Sequence, residues 1–370
     1  MTRLALRNLF QNKIRLIISV GGVALALMLI LTLDAIFTGV EKQITGYINH
    51  SGADIFVSQL NVRNMHMASS SLPNTTIKAV ESVPGVSAVT PILYLPNMLV
   101  VGDERNLAYI IGLPENASMG GPWDVPMGRG NPAPGEAVID RNVAEKSGVS
   151  LGDDVEILGM KFKLVGLSEG TASLVNSVAF ISLSDFEMLR GSQDTVSFLL
   201  IKLDPDQSPI EVSKRIERQV TGVTATPTAE FAAQEKRVVK DMSTDVITIM
   251  NMVGFLIGLA VMALTVYTAT LARKKEYGVL KALGAQNGHL YQAVITQAFL
   301  SVILGFITGL AFTLLLSRTI PLLGLNLVLE VSGASMIKVG SVSIVIAVIS
   351  AILPIRQIAG LDPASVFRGK

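Results

Sequence analysis

Three histidines, His50, His66 and His289, are the side chains best suited to metal or acid–base chemistry, and they lie far apart in the chain. In NVRNMHMASSS (61–71), His66 lies between Met65 and Met67, a set that would suit a soft metal or haem iron. Its polar, Ser-rich surroundings are also those of an ordinary exposed loop. There is no cysteine, which excludes disulfides, thiolate metal sites and a lipid-modified cysteine. No G-x-x-x-x-G-K-[ST] occurs, so no phosphate-cradling loop is encoded, and H-E-x-x-H is absent as well. Asp34 is the one ionisable residue inside a long apolar run. A carboxylate there is a functional suspect by default, but this one stands near the end of its run, where water reaches it. No catalytic set can be assembled, and the chain carries no energy source of its own.

A different kind of chemistry is suggested by RKKEYGVLKALGAQNGH (273–289). Arg273, Lys274, Lys275 and Lys281 stand against one acid, Glu276. Tyr277, Leu280 and Leu283 recur at i, i+3 and i+6 on one side of a helix that Gly284 can stop. A short helix with an exposed apolar stripe fits a groove in a partner protein. The same residues also suit a plain connecting loop whose cations set orientation and whose leucines dip into the membrane interface. The spacing leaves both readings open.

The elements that hold this stretch are apolar to an unusual degree. Of 370 residues, 50% are hydrophobic and only 16% charged, against about a quarter charged in soluble domains. Mean hydropathy is +0.52. The uncharged residues gather in runs: 16–38 with Asp34 alone, then 246–271, 290–317 and 337–355, the last free of charge from Val339. About 20 apolar residues cross a bilayer, so four membrane spans are predicted. The first run exceeds a signal-peptide core and lacks a clear cleavage site behind it, which makes it a retained anchor.

Cations flank these runs unevenly. Arg3, Arg7, Lys13 and Arg15 precede the first run, the 272–289 loop is basic, and Arg356, Arg368 and Lys370 face Asp362 in the tail 356–370. The connection 318–336 shows no such bias. The positive-inside rule then places both termini and the basic loop in the cytoplasm, with residues of about 39–245 and the short connection outside. The net charge of +1 identifies no partner, and nothing points to nucleic acid.

The predicted fold class is a membrane α-helical chain with a large α+β extracytoplasmic domain between the first and second spans. Short strands at 53–58, 86–95, 107–113, 135–140, 153–158, 161–167, 177–183 and 194–203 alternate with helices at 75–82, 140–147 and 209–220. SVPGVSAVTP (82–91) and QVTGVTATPT (219–228) each follow a strand and a helix, a weak repeat that predicts a split β-α-β, ferredoxin-like sheet. A β-rich insertion at about 100–190 would sit within the domain, 53–226. The segment 112–135, with the single tryptophan Trp123, is dense in Gly and Pro and reads as loop. Segments 39–52 and 227–245 would extend two of the spans as helical stalks, since 39–51 and 229–245 are polar and lack proline. Gly254 with Gly258, and Gly305 with Gly309, form G-x-x-x-G pairs that let helices approach closely within one chain or across a dimer.

Four stretches, in this order, resemble one family. ALRNLFQNKIRLIISVGGVALA at the start, GEAVIDRNVAEKSGVSLGDDVEIL with FKLVGL, R-x-x-E-x-G-x-L-K-A-L-G (273–284) and PIRQIAGLDPASVFR (354–368) are similar to the FtsX-like, MacB-type permeases of ABC transporters, the type VII family that includes the Lol lipoprotein-releasing permeases. The resemblance covers the whole chain. It implies an amphipathic N-terminal helix at 1–15 and a plasma- or inner-membrane permease, itself no enzyme, that exports or extracts an amphipathic or hydrophobic substrate. It further implies a separate ATP-binding subunit carrying ATP and Mg, and a second permease copy in a 2:2 complex. Membrane lipids, and a periplasmic or extracellular partner, complete the implied surroundings. The basic loop would be the coupling helix, docking Tyr277, Leu280 and Leu283 with Arg273 and Glu276 as polar clamps and with Lys281 and Gly284 in the motif. The alternative within the family is a transmembrane signal transmitter that activates an external partner without transport.

Overall fold

In hydrocarbon a backbone must satisfy its own polar groups, and the long uncharged runs do so as helices. The computed structural model describes residues 13–173, 176–320 and 326–360. The opening segment up to residue 12 and the tail with Asp362, Pro363, Arg368 and Lys370 lie outside the described residues. In chain order the helices are α1 (Lys13–Ile44), α2 (Gly46–His50), α3 (Thr75–Glu81), α4 (Arg141–Lys146), α5 (Leu183–Arg190), α6 (Pro209–Gln219), α7 (Thr228–Ala272), α8 (Lys274–Ala282), α9 (Asn287–Thr319) and α10 (Gly333–Ala359). The strands are β1 (Ile55–Gln59), β2 (Leu72–Pro73), β3 (Val86–Val101), β4 (Glu104–Leu113), β5 (Met127–Gly128), β6 (Glu136–Asp140), β7 (Asp154–Ile157), β8 (Met160–Ser168), β9 (Ser177–Ser182), β10 (Thr195–Val196), β11 (Phe198–Leu203) and β12 (Val223–Pro227).

Four of the helices, α1, α7, α9 and α10, are long and apolar enough to cross a membrane. The chain divides into two units, one holding these spans and α8, the other holding Gly39–Met242 with residues 321–328. In the helical unit Val23, Leu27 and Leu31 of α1 pack with Met262, Val294, Val302, Val339 and Ile346. The fourth apolar run is only 17 residues long in the sequence from Val339 to Ile355, yet α10 is 27 residues, because Lys338 and Arg356 lie inside the helix at either end. At the end of α1 that also carries Asp34, the Ala35 carbonyl accepts from Glu330 N at 3.0 Å.

The inserted unit is built on one ten-stranded sheet with the order β12-β1-β11-β3-β4-β9-β6-β8-β5, and with β7 on β3 and β8. Its first four strands pair antiparallel throughout. They come from two β-α-β units, β1-α3-β3 and β11-α6-β12, interleaved as in a split β-α-β sheet. Their alternation decides the layers. Ile55, Val57, Leu199 and Ile201 face Val80, Val212 and Ile216 of α3 and α6. Phe56, Phe198 and Leu200 face the other way, where the Phe56 and Phe231 rings stack at 4.7 Å. Each such side chain fully buried contributes about 1.5–3 kcal/mol.

β3 is longer than its sequence suggests, because Pro96 looks like a stop. It pairs with β11 up to Ile92 and with β4 from Leu93 onward, so at Pro91 and at Pro96 the strand has one partner and the missing N–H falls where no ladder bond is needed. Conversely, the 194–203 stretch is not one strand but two, interrupted at Ser197, whose hydroxyl accepts from Tyr94 N at 3.0 Å. In the insertion, Asp140 caps α4 and is fully buried. Its carboxylate accepts from Asn142 N, Thr171 N and Thr171 Oγ1 at 2.9–3.0 Å. Burial pushes its pKa up, and these hydrogen bonds pull it back.

Candidate functional site

The basic loop is a helix–turn–helix built from local signals. α7 ends at Ala272, Arg273 caps α8, and α8 stops at Gly284 with φ of 90°. Gly284 N bonds Lys281 O at 3.0 Å and Ala285 N bonds Leu280 O at 2.9 Å. That pair of bonds is the Schellman ending, which needs a left-handed residue where this chain has glycine. α9 begins three residues later at Asn287.

The apolar stripe read from the sequence is divided here. Tyr277 is 4% exposed and belongs to the buried core of the helical unit, where Leu280 packs partly against the same core. Leu283 is 79% exposed. Three-residue steps each fall about 60° short of a full turn, so residues 277, 280 and 283 fan around the helix instead of sharing one line. The expectation that Tyr277 and Leu280 dock outward is therefore corrected: they fasten α8 to its own bundle. The outward face is formed by Lys275, Glu276, Val279 and Leu283. Arg273, turned inward, has its Nη1 4.0 Å from Glu276 Oε2.

Lys281 also turns inward. Its Nζ donates to Ile358 O at 2.9 Å and to Ala359 O at 3.2 Å, in the last turn of α10. A cation on the final carbonyls of a helix satisfies groups that have no partner within the helix and opposes the negative end of the helix dipole. The motif lysine thus ties α8 to the last span.

Both glycine pairs face α1. A Cβ on Gly305 would lie 2.7 Å from Val23 Cγ1, and one on Gly309 would lie 2.9 Å from Ala24 O and 3.2 Å from Met28 N. On Gly254 it would lie 2.6 Å from Ile30 Cγ1, and on Gly258 3.2 Å from Ala26 Cβ. Of the two uses the sequence leaves open, these contacts are within one chain. Asp34, in turn, is paired: Lys338 Nζ of α10 lies 2.6 Å from its Oδ1. This partner lies 304 residues away along the chain, and no local pattern announces it.

In the inserted unit His66 meets a carboxylate. Its Nδ1 lies 2.6 Å from Glu235 Oε1, while Glu235 Oε2 accepts from Met65 N at 2.7 Å and the side chain is 1% exposed. The His66 ring stands edge-on to Tyr109 at 4.4 Å, and Tyr109 stacks on Tyr94 at 5.5 Å. No group of three or more metal-ligating side chains forms among the described residues. Trp123 stacks on His50 at 4.8 Å. Burial pushes the Tyr47, Tyr94 and Tyr109 hydroxyls well up, Tyr109 to about 12, with the Glu235 charge adding to the last two and Tyr109 adding to Tyr94.

Residues 16–219 match the family model of the MacB-like periplasmic core domain, and residues 248–363 that of the FtsX-like permease C-terminal region. An ABC transporter permease of Mycobacterium tuberculosis is 23% identical over 99% of both chains. One of Methanocaldococcus jannaschii is 22% identical over 99% of this chain and 97% of its own. The pyoverdine export ATP-binding/permease protein PvdT of Pseudomonas aeruginosa is 21% identical over 98% of this chain and 58% of its own. Among solved structures, the periplasmic region of MacB from Actinobacillus actinomycetemcomitans aligns with a TM-score of 0.40 at 14% identity, covering 50% of this chain and 94% of that one. The extracellular domain of the transporter YknZ from Gram-positive bacteria aligns with 0.38 at 15%, covering 46% and 98%.

Proposed function

This chain belongs to the MacB-type, FtsX-like permeases of ABC transporters, and from that premise we propose that it is the membrane subunit through which a separate ATPase drives export or extraction of an amphipathic or hydrophobic substrate. The observation that carries the reading is the two-sidedness of α8. One face, Tyr277, Leu280 and Lys281, is fastened to the spans, and the other, Glu276, Val279 and Leu283, is open to a partner. A lever needs one fixed side and one free side. ATP and Mg are carried by the partner, since this sequence holds no phosphate-cradling loop.

Orientation follows from the cations beside the spans. Arg273, Lys274, Lys275, Lys281 and Arg356 put α8 and both termini on the cytoplasmic side, and the inserted unit outside. The permease works as two copies with two ATPases. α7 supports this, because only 17% of its apolar window is buried within the chain, less than in any other span. Substrate is taken from the outer leaflet or the external space and need not cross a central pore, in keeping with spans that present no row of charges.

The test is co-purification of the ATPase with Leu283→Asp and with Val279→Asp. Both variants are expected to insert normally and to lose the ATPase. Retained ATPase would remove α8 from the interface. ATP-driven movement of amphiphiles in vesicles then separates transport from signal transmission to an external partner, which would leave such movement absent.

A further inference from the structure

Three contacts fasten one segment of the chain, residues 326–330, along the last turns of α1. Asn326 O accepts from Gln43 Nε2 at 3.0 Å, Val328 O occupies the place a Cβ of Gly39 would take, and Glu330 N donates to Ala35 O at 3.0 Å. Every second residue of this strap meets every fourth residue of the helix, and the two run in opposite directions. Four helical residues advance about 6 Å and two extended residues about 6.4–6.8 Å, so the steps match along the strap. Gln43, Gly39, Asn326 and Val328 belong to the inserted unit, and Ala35 and Glu330 to the helical one.

Gly39 is what lets the strap lie so close. It is buried, and a Cβ there would fall on the Val328 carbonyl oxygen and 2.8 Å from its carbon. Both are main-chain atoms, so no side-chain rotation relieves the clash. Glycine is otherwise a poor choice inside a 32-residue helix, where alanine is the better helix former. Gly39 has no positive φ, so backbone conformation supplies no other reason for it.

What the strap joins follows from its ends. Two residues beyond Glu330, Ser332 caps α10, its Oγ accepting from Ser335 N at 3.0 Å. In the second turn of α10, Lys338 reaches Asp34 of α1 at 2.6 Å. At its far end α10 holds Lys281 of α8 through the Ile358 and Ala359 carbonyls. α10 is thus tied to α8 at one end and, through the strap and the ion pair, to α1 at the other. We propose that the strap makes the end of α1 follow α10, so that movement of α8 reaches the inserted unit through α10 and α1 as well as along α7. The proposal rests on the lever reading of α8 and adds Gly39 to it as a positioning residue.

The chain has no cysteine, so introduced cysteines carry spin labels without background. The full chain is reconstituted with its ATPase in phosphatidylcholine vesicles. Lys42→Cys with Leu327→Cys spans the strap, and its label pair is expected to show one narrow distance that ATP leaves unchanged. Lys42→Cys alone reports the distance between the two copies at the end of α1, which ATP is expected to shift. Gly39→Ala should broaden the first distance and reduce the ATP-driven shift of the second several-fold, with the ATPase still bound. Gln43→Ala removes one contact without a clash and should act in the same direction more weakly, which keeps the test decisive where Gly39→Ala fails to fold. Gly21→Ala, on the same helix with nothing within 4 Å of its Cβ, should change neither distance. A broadened strap distance with the ATP-driven shift intact makes the strap a passive brace and overturns the proposal. A strap distance that stays narrow in Gly39→Ala, or that moves with ATP in the unmodified chain, overturns it as well. An unmodified chain that holds no ATPase, or shows no ATP-driven shift, defeats the lever reading and the proposal with it. A full shift that the strap variants leave untouched defeats the proposal alone.

Discussion

Lys281 Nζ sits 2.9 Å from the carbonyl oxygen of Ile358, joining the helix that carries the outward face to the end of the last span. Had Lys281 pointed at the partner, its loss would weaken docking. Since it points at α10, its loss loosens the lever while the docking face stays intact. Lys281→Met keeps the length and apolar stem of the side chain and removes the charge, at a cost of about 1 kcal/mol of local stability. The expected outcome is ATPase retained on purification with transport per ATP reduced several-fold, and Lys281→Arg partly restored. Loss of the ATPase from Lys281→Met would place this residue on the interface instead.

The Asp34–Lys338 pair bridges the first and last spans with nothing in the sequence to announce it. Lys338 is nearly half exposed, so screening trims its worth to the scale of a surface pair, about 1 kcal/mol. Asp34→Asn and Lys338→Met should each lower the thermal midpoint, and a double-mutant cycle should return a coupling of about 1 kcal/mol. A coupling near zero would make the pair incidental to the bundle.

What could be read in advance divides along a physical line. The spans were legible because length and absence of charge are properties of a single segment, and the helix stop at Gly284 because a left-handed residue is a local need. Relations between segments were not. α5 escaped notice because Ser182 ends a buried strand and caps the helix at once, its Oγ accepting from Asp185 N at 3.0 Å. The fan of residues 277, 280 and 283 looked like one stripe because a count of spacings ignores the drift of the helix. Glu235, 170 residues from Met65, belongs to a stretch that reads as plain polar helix, and only the fold brings it to the His66 loop.

Gly309 allows the closest approach of backbone to backbone in the helical unit's glycine pairs. A valine there would drive its Cβ to 2.9 Å from Ala24 O, a main-chain atom that cannot swing away. Gly309→Val should cost several kcal/mol and prevent recovery of a folded chain, in the range of severe overpacking. Gly21→Ala, where a Cβ meets nothing within 4 Å, should leave expression and midpoint unchanged and serves as the control. Equal tolerance of both substitutions, read by size-exclusion recovery, would contradict the packing of α9 on α1.

The tyrosines around Glu235 make the inserted unit sensitive to alkali. Burial first, and then the Glu235 carboxylate, raise Tyr109 from its ordinary value near 10 to about 12. A raised pKa in the folded state means that folding favours the neutral ring. The stabilisation is therefore complete below pH of about 10 and is lost as pH rises through about 12. Tyr94 is shifted in the same direction for the same reasons, with Tyr109 adding to it, and deepens the slope. Stability of the inserted unit should accordingly fall across that alkaline window, with tyrosinate absorbance appearing as it unfolds. Tyr109→Phe should flatten the fall. Glu235→Gln, which keeps an acceptor for Met65 N and removes the charge, should bring the Tyr109 titration back toward the ordinary value. An alkaline limb unchanged in both variants would show that the cluster does not set it.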